Sequence, residues 1–292
     1  MMRLDLNIPE TLTDLLSSLS LKAFMTQHQT LAESFERLGK THIDYLRELT
    51  AQEVERRSNV RLERLLKQAK LPRTKALSDF EIGRIDGLSP ALIQRLATGD
   101  FIDLHENILI FGNPGTGKTH LCIALAREWC FLGRRVLFLT ASQLVQDLKT
   151  AQKSLRLHQL IKKLDAFEVL VIDDISYVPL EREDTDVLFQ LLSERYETRS
   201  VVITSNLPFG KWGNIFKDEM TTAAAIDRLI HHAEILELNT ESYRIKAAKT
   251  KRQNALNETP AEEKKRDDEQ TKKGVVISKK LEHKKERKSE KN

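Results

Sequence analysis

Eight consecutive residues, Gly112–Thr119, have the types and spacing of a phosphate-binding loop. The segment reads GNPGTGKT and matches G-x-x-x-x-G-K-[ST] at every fixed position. Its glycines let the backbone curl so that successive N–H groups point at phosphate oxygens. In this pattern Lys118 reaches the β- and γ-phosphates, and the hydroxyl of Thr119 binds Mg²⁺. We therefore predict a nucleotide site formed by Gly112, Asn113, Pro114, Gly115, Thr116, Gly117, Lys118, Thr119 and the next residue, His120.

The segments on either side of this loop have the pattern of a strand and a helix. Residues 108–111 are an apolar run typical of a buried strand. Beyond the loop, apolar residues recur at helical spacing up to Leu132, and Gly133 then stands where a helix ends. A helix that begins at the loop adds its partial positive charge to the site. The alternative, a tight glycine turn without function, does not explain this context.

Polar residues follow two further apolar strands. Val169–Ile172 is followed by Asp173 and Asp174, and Val201–Thr204 leads to Asn206. Parallel strands bring their carboxyl ends to one edge of a sheet, where ligands bind. We expect Asp173 to hold Mg²⁺, Asp174 to orient or deprotonate a water, and Asn206 to position that water. Acidic or amide side chains in ordinary turns are the alternative.

Arg228 lies late in a predicted helix, 222–231. Such a cation could complete the active site of a neighbouring subunit as an arginine finger. A salt bridge with Asp227 or Glu234 is the alternative, and the residues by themselves favour it.

Strands and helices alternate along the middle of the chain. The predicted strands are 108–111, Val136–Leu139, Val169–Ile172, Val201–Thr204 and Ala233–Leu238; the predicted helices between them are 118–132, 142–164, 184–197 and 222–231. Solidly apolar strands alternating with helices indicate an α/β fold whose five-stranded parallel sheet is covered on both faces.

The rest of the chain differs in composition. We divide it into a helical N-terminal module (1–71, with Gly39 between two helices), a linker (72–90), an ATP-binding domain (91–246, beginning with a helix at 91–98) and a charged tail (247–292) predicted to be disordered. The last helix of the module is basic from Arg56 to Lys70. A solvated face with i,i+4 ion pairs and a phosphate-contacting face both fit this pattern.

Composition excludes several classes of protein. No apolar run approaches the roughly 18 residues of a membrane span, and the N-terminus lacks a secretion signal, so we expect a cytoplasmic protein. The two cysteines, Cys122 and Cys130, are too far apart on one helix to form a disulfide. The tail from Lys246 on has a larger positive excess than the net charge of the chain, +4, so the basic balance is poor evidence for nucleic-acid binding.

Residues from about 21 to 246 resemble the IstB-like helper ATPases of bacterial insertion sequences, AAA+ proteins related to DnaC-type helicase loaders and to DnaA. The similar segments are LPRTKALSDFEI, ENILIFGNPGTGKTHL, VLVIDDISYVPL, RYETRSVVITSNLPFGKWGNIF and AAIDRLIHHAEILEL followed by ESYR. The resemblance implies an AAA+ P-loop three-layer sandwich, ATP and Mg²⁺, a homo-oligomer, DNA binding and a partner transposase.

The resemblance also implies residue roles. Lys118 and Thr119 take the loop roles, Asp173 and Asp174 the Walker B roles, Asn206 the sensor role and Arg228 the finger role. Many AAA+ enzymes have glutamate in place of Asp174. We also expect no room for a helical lid between Leu238 and the tail, and Arg244 could take the place of the sensor residue in that lid. Relatives contact DNA through helices after the second strand, where this chain has Lys149, Lys153, Arg156, Lys162 and Lys163.

These observations together predict an AAA+ ATPase that binds DNA as an ATP-dependent oligomer and presents a target site to a transposase, with residues 11–70 recruiting that partner. A helicase loader is the alternative. A GTPase would need an N-K-x-D motif, which is absent. A small-molecule kinase would need a substrate lid with paired arginines, and we expect too little chain after the fifth strand to form one. An inactive homologue would not need the intact set of site residues.

Overall fold

The computed structural model describes residues 11–72, 75–80, 83, 85, 88–177, 182–214, 219–238 and 240. Among these, the described residues of 11–112 and of Lys118–Leu238 form one compact unit. No helix in these ranges is long and apolar enough to cross a membrane.

Five parallel strands form one sheet. They are β1 (Asn107–Gly112), β2 (Val136–Thr140), β3 (Val169–Asp173), β4 (Ser200–Ser205) and β5 (Ala233–Leu238), in the spatial order β2-β3-β4-β1-β5. β3 and β4 are buried along their whole length, as solidly apolar strands require. The predicted α/β class and all five predicted strands are confirmed, with bounds that differ by a residue at some ends.

Helices cover both faces of the sheet. They are α4 (Pro90–Thr98), α5 (Asp100–Asp103), α6 (Lys118–Phe131), α7 (Ala141–Lys153), α8 (Leu157–Asp165), α9 (Arg182–Arg195) and α10 (Glu219–His231). The single helix predicted over 142–164 is wrong, because two helices occupy this segment. The chain turns between them at Leu155, whose φ of 55° lies in the left-handed region.

The three N-terminal helices are α1 (Leu12–Ser18), α2 (Lys22–Arg37) and α3 (His42–Ala69). Gly39, with φ of 61°, separates α2 from α3 as predicted. Thr41 and Asp44 then form a capping box at the start of α3. At the other end of α3, Leu65 and Ala69 are buried in the same hydrophobic core as α6 and β1. The helical segment is therefore packed onto the α/β sheet through the end of α3.

The buried guanidinium of Arg195 connects the strands that carry the predicted site residues. Its nitrogens donate hydrogen bonds to the carbonyl oxygens of Leu164, Phe167, Glu168 and Ser200, at 3.0–3.3 Å. Burial lowers the pKa of Arg195 to about 10. These bonds join the end of α8 to the segments that enter β3 and β4, and so fix these two strands at their beginnings.

Both cysteines are buried on α6 and belong to the hydrophobic core. Burial raises the pKa of both thiols, that of Cys130 to about 11. Trp129, on the same helix, donates its Nε1–H to the carbonyl of Leu96 at 2.8 Å and so anchors α4 on α6.

Candidate functional site

The loop Asn113–Gly117 includes backbone conformations that few residue types other than glycine adopt. Gly115 and Gly117 have φ values of 87° and 102°, which explains glycine at both positions. Within the loop, the backbone N–H and the hydroxyl of Thr116 both donate to the carbonyl of Asn113, at 3.4 and 2.9 Å. The loop conformation therefore agrees with the curled backbone that the sequence predicts.

Lys118, the first residue of α6, is buried, with 6% of its surface exposed. Its Nζ donates to the carbonyl of Gly112 at 2.7 Å and to Oδ1 of Asn206 at 2.5 Å. The cation is thus held at the carboxyl ends of β1 and β4, the edge of the sheet where the sequence predicts it.

Asp173, the last residue of β3, accepts hydrogen bonds from two threonines. The hydroxyl of Thr119 lies 3.0 and 3.1 Å from its two carboxylate oxygens, and that of Thr204 lies 2.7 Å from Oδ1. A carboxylate beside hydroxyl groups is the hard oxygen ligand set that Mg²⁺ prefers. The chemistry of Thr119 and Asp173 therefore fits the predicted metal.

Asp174 has a left-handed backbone, with φ of 63°. Its N–H donates to the hydroxyl of Thr204 at 2.8 Å. Its Oδ1 accepts from Nδ2 of Asn206 at 2.8 Å and from the hydroxyl of Ser176 at 3.1 Å. The backbone N–H of Asn206 also donates to that Ser176 oxygen, at 2.9 Å. The second acid and the predicted sensor are thus joined directly and through one serine.

The sequence prediction missed Thr204 and Ser176 as site residues. The strand register contains a signal for Thr204, because Ile172 pairs with Ile203 and the next residues, Asp173 and Thr204, are then neighbours. Ser176 lies in the short 3₁₀ turn Ile175–Tyr177, which directly follows the left-handed backbone of Asp174. No pattern in the sequence identifies it.

His120, predicted to contact the nucleotide, lies on α6 with its ring edge against Phe80, the centroids 5.6 Å apart. Burial lowers its pKa, which favours the neutral imidazole. Its buried Nε2 has no hydrogen-bond partner among the described residues. A ligand with a polar group could therefore bind this nitrogen.

Arg228 lies late in α10, as predicted, and contacts α9. Its Nη1 donates to the hydroxyl of Ser193 at 2.8 Å, and its guanidinium carbon lies 4.8 Å from the centre of the Phe189 ring. The alternative salt bridge with Asp227 or Glu234 is not found in the described part of the chain. Glu234 instead pairs with Arg95, at 2.9 Å.

The five predicted DNA contacts divide into two groups. Lys149 on α7 forms an ion pair of 2.8 Å with the buried carboxylate of Asp184 on α9. The other four side chains are exposed on the end of α7, on α8 or between them: Lys153, Arg156, Lys162 and Lys163. Arg244 lies outside the described residues.

The strand order, the glycine loop ahead of Lys118, the acids that end β3 and the asparagine that follows β4 define an ATP-binding protein of the AAA+ class. The chain belongs to the family described as IstB-like ATP binding protein, whose model matches residues 14–252.

Named relatives support this assignment. A protein of Sinorhizobium fredii named as an insertion sequence ATP-binding protein is 41% identical over 235 residues, 80% of this chain and 79% of its own length. One of Pseudomonas aeruginosa, named for insertion sequence IS21, is 35% identical over 260 residues, 89% of this chain and 97% of its own length.

The fold is also similar to that of a solved structure of the replication initiator DnaA bound to AMPPCP and single-stranded DNA. The TM-score is 0.51 and the identity 20%, over 63% of this chain and 56% of that chain. At this identity the similarity concerns the fold alone.

Proposed function

We propose that this protein hydrolyses ATP, assembles on DNA as an ATP-dependent oligomer and presents target DNA to a partner transposase. The observation that supports hydrolysis most is the single hydrogen-bond network that joins Lys118, Asn206 and Asp174 at one edge of the sheet. The insertion sequence in the names of the relatives supports transposition as the process.

In the proposed reaction, Lys118 exchanges the carbonyl of Gly112 and the amide of Asn206 for the β- and γ-phosphates. Thr119 and Asp173 would hold Mg²⁺, which when bound neutralises phosphate charge. Asp174 then accepts the proton of the attacking water, while Nδ2 of Asn206 and the hydroxyl of Ser176 hold its carboxylate in place. Aspartate is one methylene shorter than glutamate, so we expect slow turnover.

Arg228 is the proposed finger that acts on the γ-phosphate of a neighbouring subunit. Its contacts support this role, because its hydrogen bond goes to a neutral hydroxyl and its guanidinium stacks on an aromatic ring. Both contacts position the group without neutralising it. Arginine fingers increase the rate of hydrolysis by a factor of about 10³–10⁵.

Mixing two inactive variants tests the finger. Lys118→Ala should not hold ATP but keeps its finger; Arg228→Ala should bind ATP as a monomer but offers none. Activity should return in the mixture, where an Arg228→Ala subunit faces the finger of a Lys118→Ala neighbour. Wild-type hydrolysis by Arg228→Ala alone on DNA would refute the role.

The N-terminal helices are the proposed recruiting surface for the transposase. On α3, Ile43, Leu46 and Val54 recur at helical spacing and are exposed, Ile43 by 80%. Apolar side chains exposed in a row are typical of protein–protein contacts. The exposed residues Lys153, Arg156, Lys162 and Lys163 are the proposed DNA contacts.

Electron microscopy of the full chain with duplex DNA, with and without a slowly hydrolysed ATP analogue, tests assembly. Ordered oligomers on DNA that require the analogue are expected, and monomers under both conditions would contradict the proposal. Pull-downs with the transposase encoded alongside and with the replicative helicase then separate a transposition helper from a helicase loader. Substituting Ile43 and Leu46 by serine should weaken capture of the true partner.

A further inference from the structure

Three side chains that the proposed ATPase does not use lie together on the surface: Glu197, His231 and His232. Each offers one ligand atom, and these atoms lie within 4.8 Å of one another. Glu197 belongs to the turn between α9 and β4; His231 ends α10, and His232 precedes β5. The cluster is therefore at the edge of the sheet where β4 and β5 begin, opposite to the edge of Asp173 and Asn206.

Backbone hydrogen bonds fix both turns. Thr198 and Arg199 donate their N–H groups to the carbonyl of Arg195, at 3.1 and 3.0 Å. On the other side, the carbonyl of His232 accepts the N–H of Asn107 at 2.7 Å, at the start of β1. Since β1 lies between β4 and β5 in the sheet, the strand order determines that these two turns are close.

The side chains are close enough to share one ion. The two imidazole centroids lie 4.1 Å apart, and Nε2 of His232 lies 4.0 Å from Oε1 of Glu197. Bonds from Zn²⁺ to imidazole or carboxylate are about 2.0–2.2 Å long, which places ligand atoms roughly 3.3–3.6 Å apart around one tetrahedral ion, so these atoms need to approach one another by on the order of 1 Å. The three residues are exposed, which leaves their side chains room for this movement.

A second contact orients one of the rings. Nδ1 of His231 is hydrogen-bonded to the hydroxyl of Tyr196, 2.9 Å away. Metal-ligating histidines generally make such an outer contact, which fixes the orientation of the ring.

We propose that Glu197, His231 and His232 bind a divalent transition metal ion of the Zn²⁺ type. Two imidazoles and one carboxylate suit Zn²⁺, Co²⁺ or Ni²⁺, whereas Mg²⁺ and Ca²⁺ prefer sites built of oxygen alone. Three protein ligands leave a further position for water. The site is distinct from the proposed Mg²⁺ site at Thr119 and Asp173.

Such an ion would join the turn that follows α9 to the carboxyl end of α10. Arg228 lies three residues before His231, and its partners Phe189 and Ser193 lie on α9. Metal binding should therefore stabilise the pair of helices that hold Arg228.

Calorimetric titration of the full chain with Zn²⁺, without nucleotide or Mg²⁺, tests the proposal. One ion per chain should bind. His232→Ala and Glu197→Gln should each weaken binding at least about 10-fold, and Tyr196→Phe about 10- to 100-fold. His158→Ala, an exposed histidine on α8 outside the cluster, is the matched control and should bind as wild type does. Co²⁺ should give visible absorption bands that the double variant Glu197→Gln, His232→Ala lacks.

A folding control keeps this test independent of the ATPase. The variants should retain their far-ultraviolet circular dichroism and bind a fluorescent ATP analogue as wild type does, while Zn²⁺ raises the Tm of the wild type and not that of the double variant. No Zn²⁺ binding by the wild type, or unchanged stoichiometry and affinity in the double variant, would overturn the proposal.

Discussion

Thr204 offers the sharpest test of the site, because one buried hydroxyl contacts both acids. It accepts the N–H of Asp174 and donates to Oδ1 of Asp173, and only 1% of the residue is exposed. Valine has nearly the same shape, so Thr204→Val removes these two hydrogen bonds without opening a cavity.

The expected loss of unfolding free energy follows from the two hydrogen bonds that the hydroxyl of Thr204 makes. A buried N–H left without a partner costs about 1–3 kcal/mol, and a hydrogen bond to a charged group contributes about 1.5–3 kcal/mol. We expect Thr204→Val to lower the free energy of unfolding by roughly 2–4 kcal/mol, since one substitution removes both and valine fills the space. Thr204→Ser keeps the hydroxyl and should cost about 1 kcal/mol for the lost methyl group.

Thr204→Val should lower the rate of ATP hydrolysis more than it lowers the affinity for ATP. The left-handed backbone of Asp174 is unfavourable for a residue with a side chain, and the bond to Thr204 holds it. If the carboxylate moves by about 1 Å, hydrolysis should fall on the order of 100-fold. ATP affinity should change less, because Lys118 donates to Gly112 and Asn206, which the substitution leaves in place.

Urea unfolding measures the change in stability, titration with a fluorescent ATP analogue measures ATP affinity, and steady-state phosphate release measures the rate of hydrolysis. If Thr204→Val unfolds within about 0.5 kcal/mol of wild type and hydrolyses ATP at the wild-type rate, then the hydroxyl does not position the acids.

Three further predictions concern separate parts of the chain. Asp174→Asn should bind ATP as wild type does but lose hydrolysis, because an amide cannot accept the proton of the water; equal turnover would sink the assignment. Neutralising Lys153, Arg156, Lys162 and Lys163 to glutamine should weaken DNA binding and lower the slope of log K against log salt by roughly 0.9 for each lost phosphate contact. If a chain truncated after Lys246 shows that change and the quadruple variant does not, the DNA surface lies in the tail. Glu53→Gln should destabilise the protein at pH 7, because the hydrogen bond from Arg56, with those from Ala23 and Arg57, lowers the pKa of Glu53 from 4.5 to about 2. A carboxylate whose pKa is lower in the folded than in the unfolded protein stabilises the fold at pH values above its unfolded-state pKa, and this stabilisation is lost as the pH falls through its folded-state pKa. The difference in urea midpoint between wild type and Glu53→Gln should therefore shrink between pH 4.5 and 2. A constant difference over that range would contradict it.

The sequence was sufficient for most features that depend on neighbours along the chain, although it did not predict the break at Leu155 between α7 and α8. The phosphate loop, the apolar strands, and the positions of Asp173, Asp174 and Asn206 follow from local patterns. Apolar runs show which segments are buried, and parallel strands place their carboxyl ends together. The number of strands and the site at one edge of the sheet could therefore be predicted without coordinates.

Only the tertiary structure decided which side chains meet. The Thr204 hydroxyl faces Asp173 through the register of β3 and β4, and Lys149 is paired with Asp184 rather than exposed beside the other basic residues. Arg228 contacts Ser193 instead of a nearby acid, and Glu197 meets two histidines from a turn more than thirty residues away. The physical reason is that the periodicity of apolar residues shows whether a residue is buried. A hydrogen bond or ion pair instead requires two groups on different elements to be placed to within a few tenths of an ångström, and the sheet determines that placement.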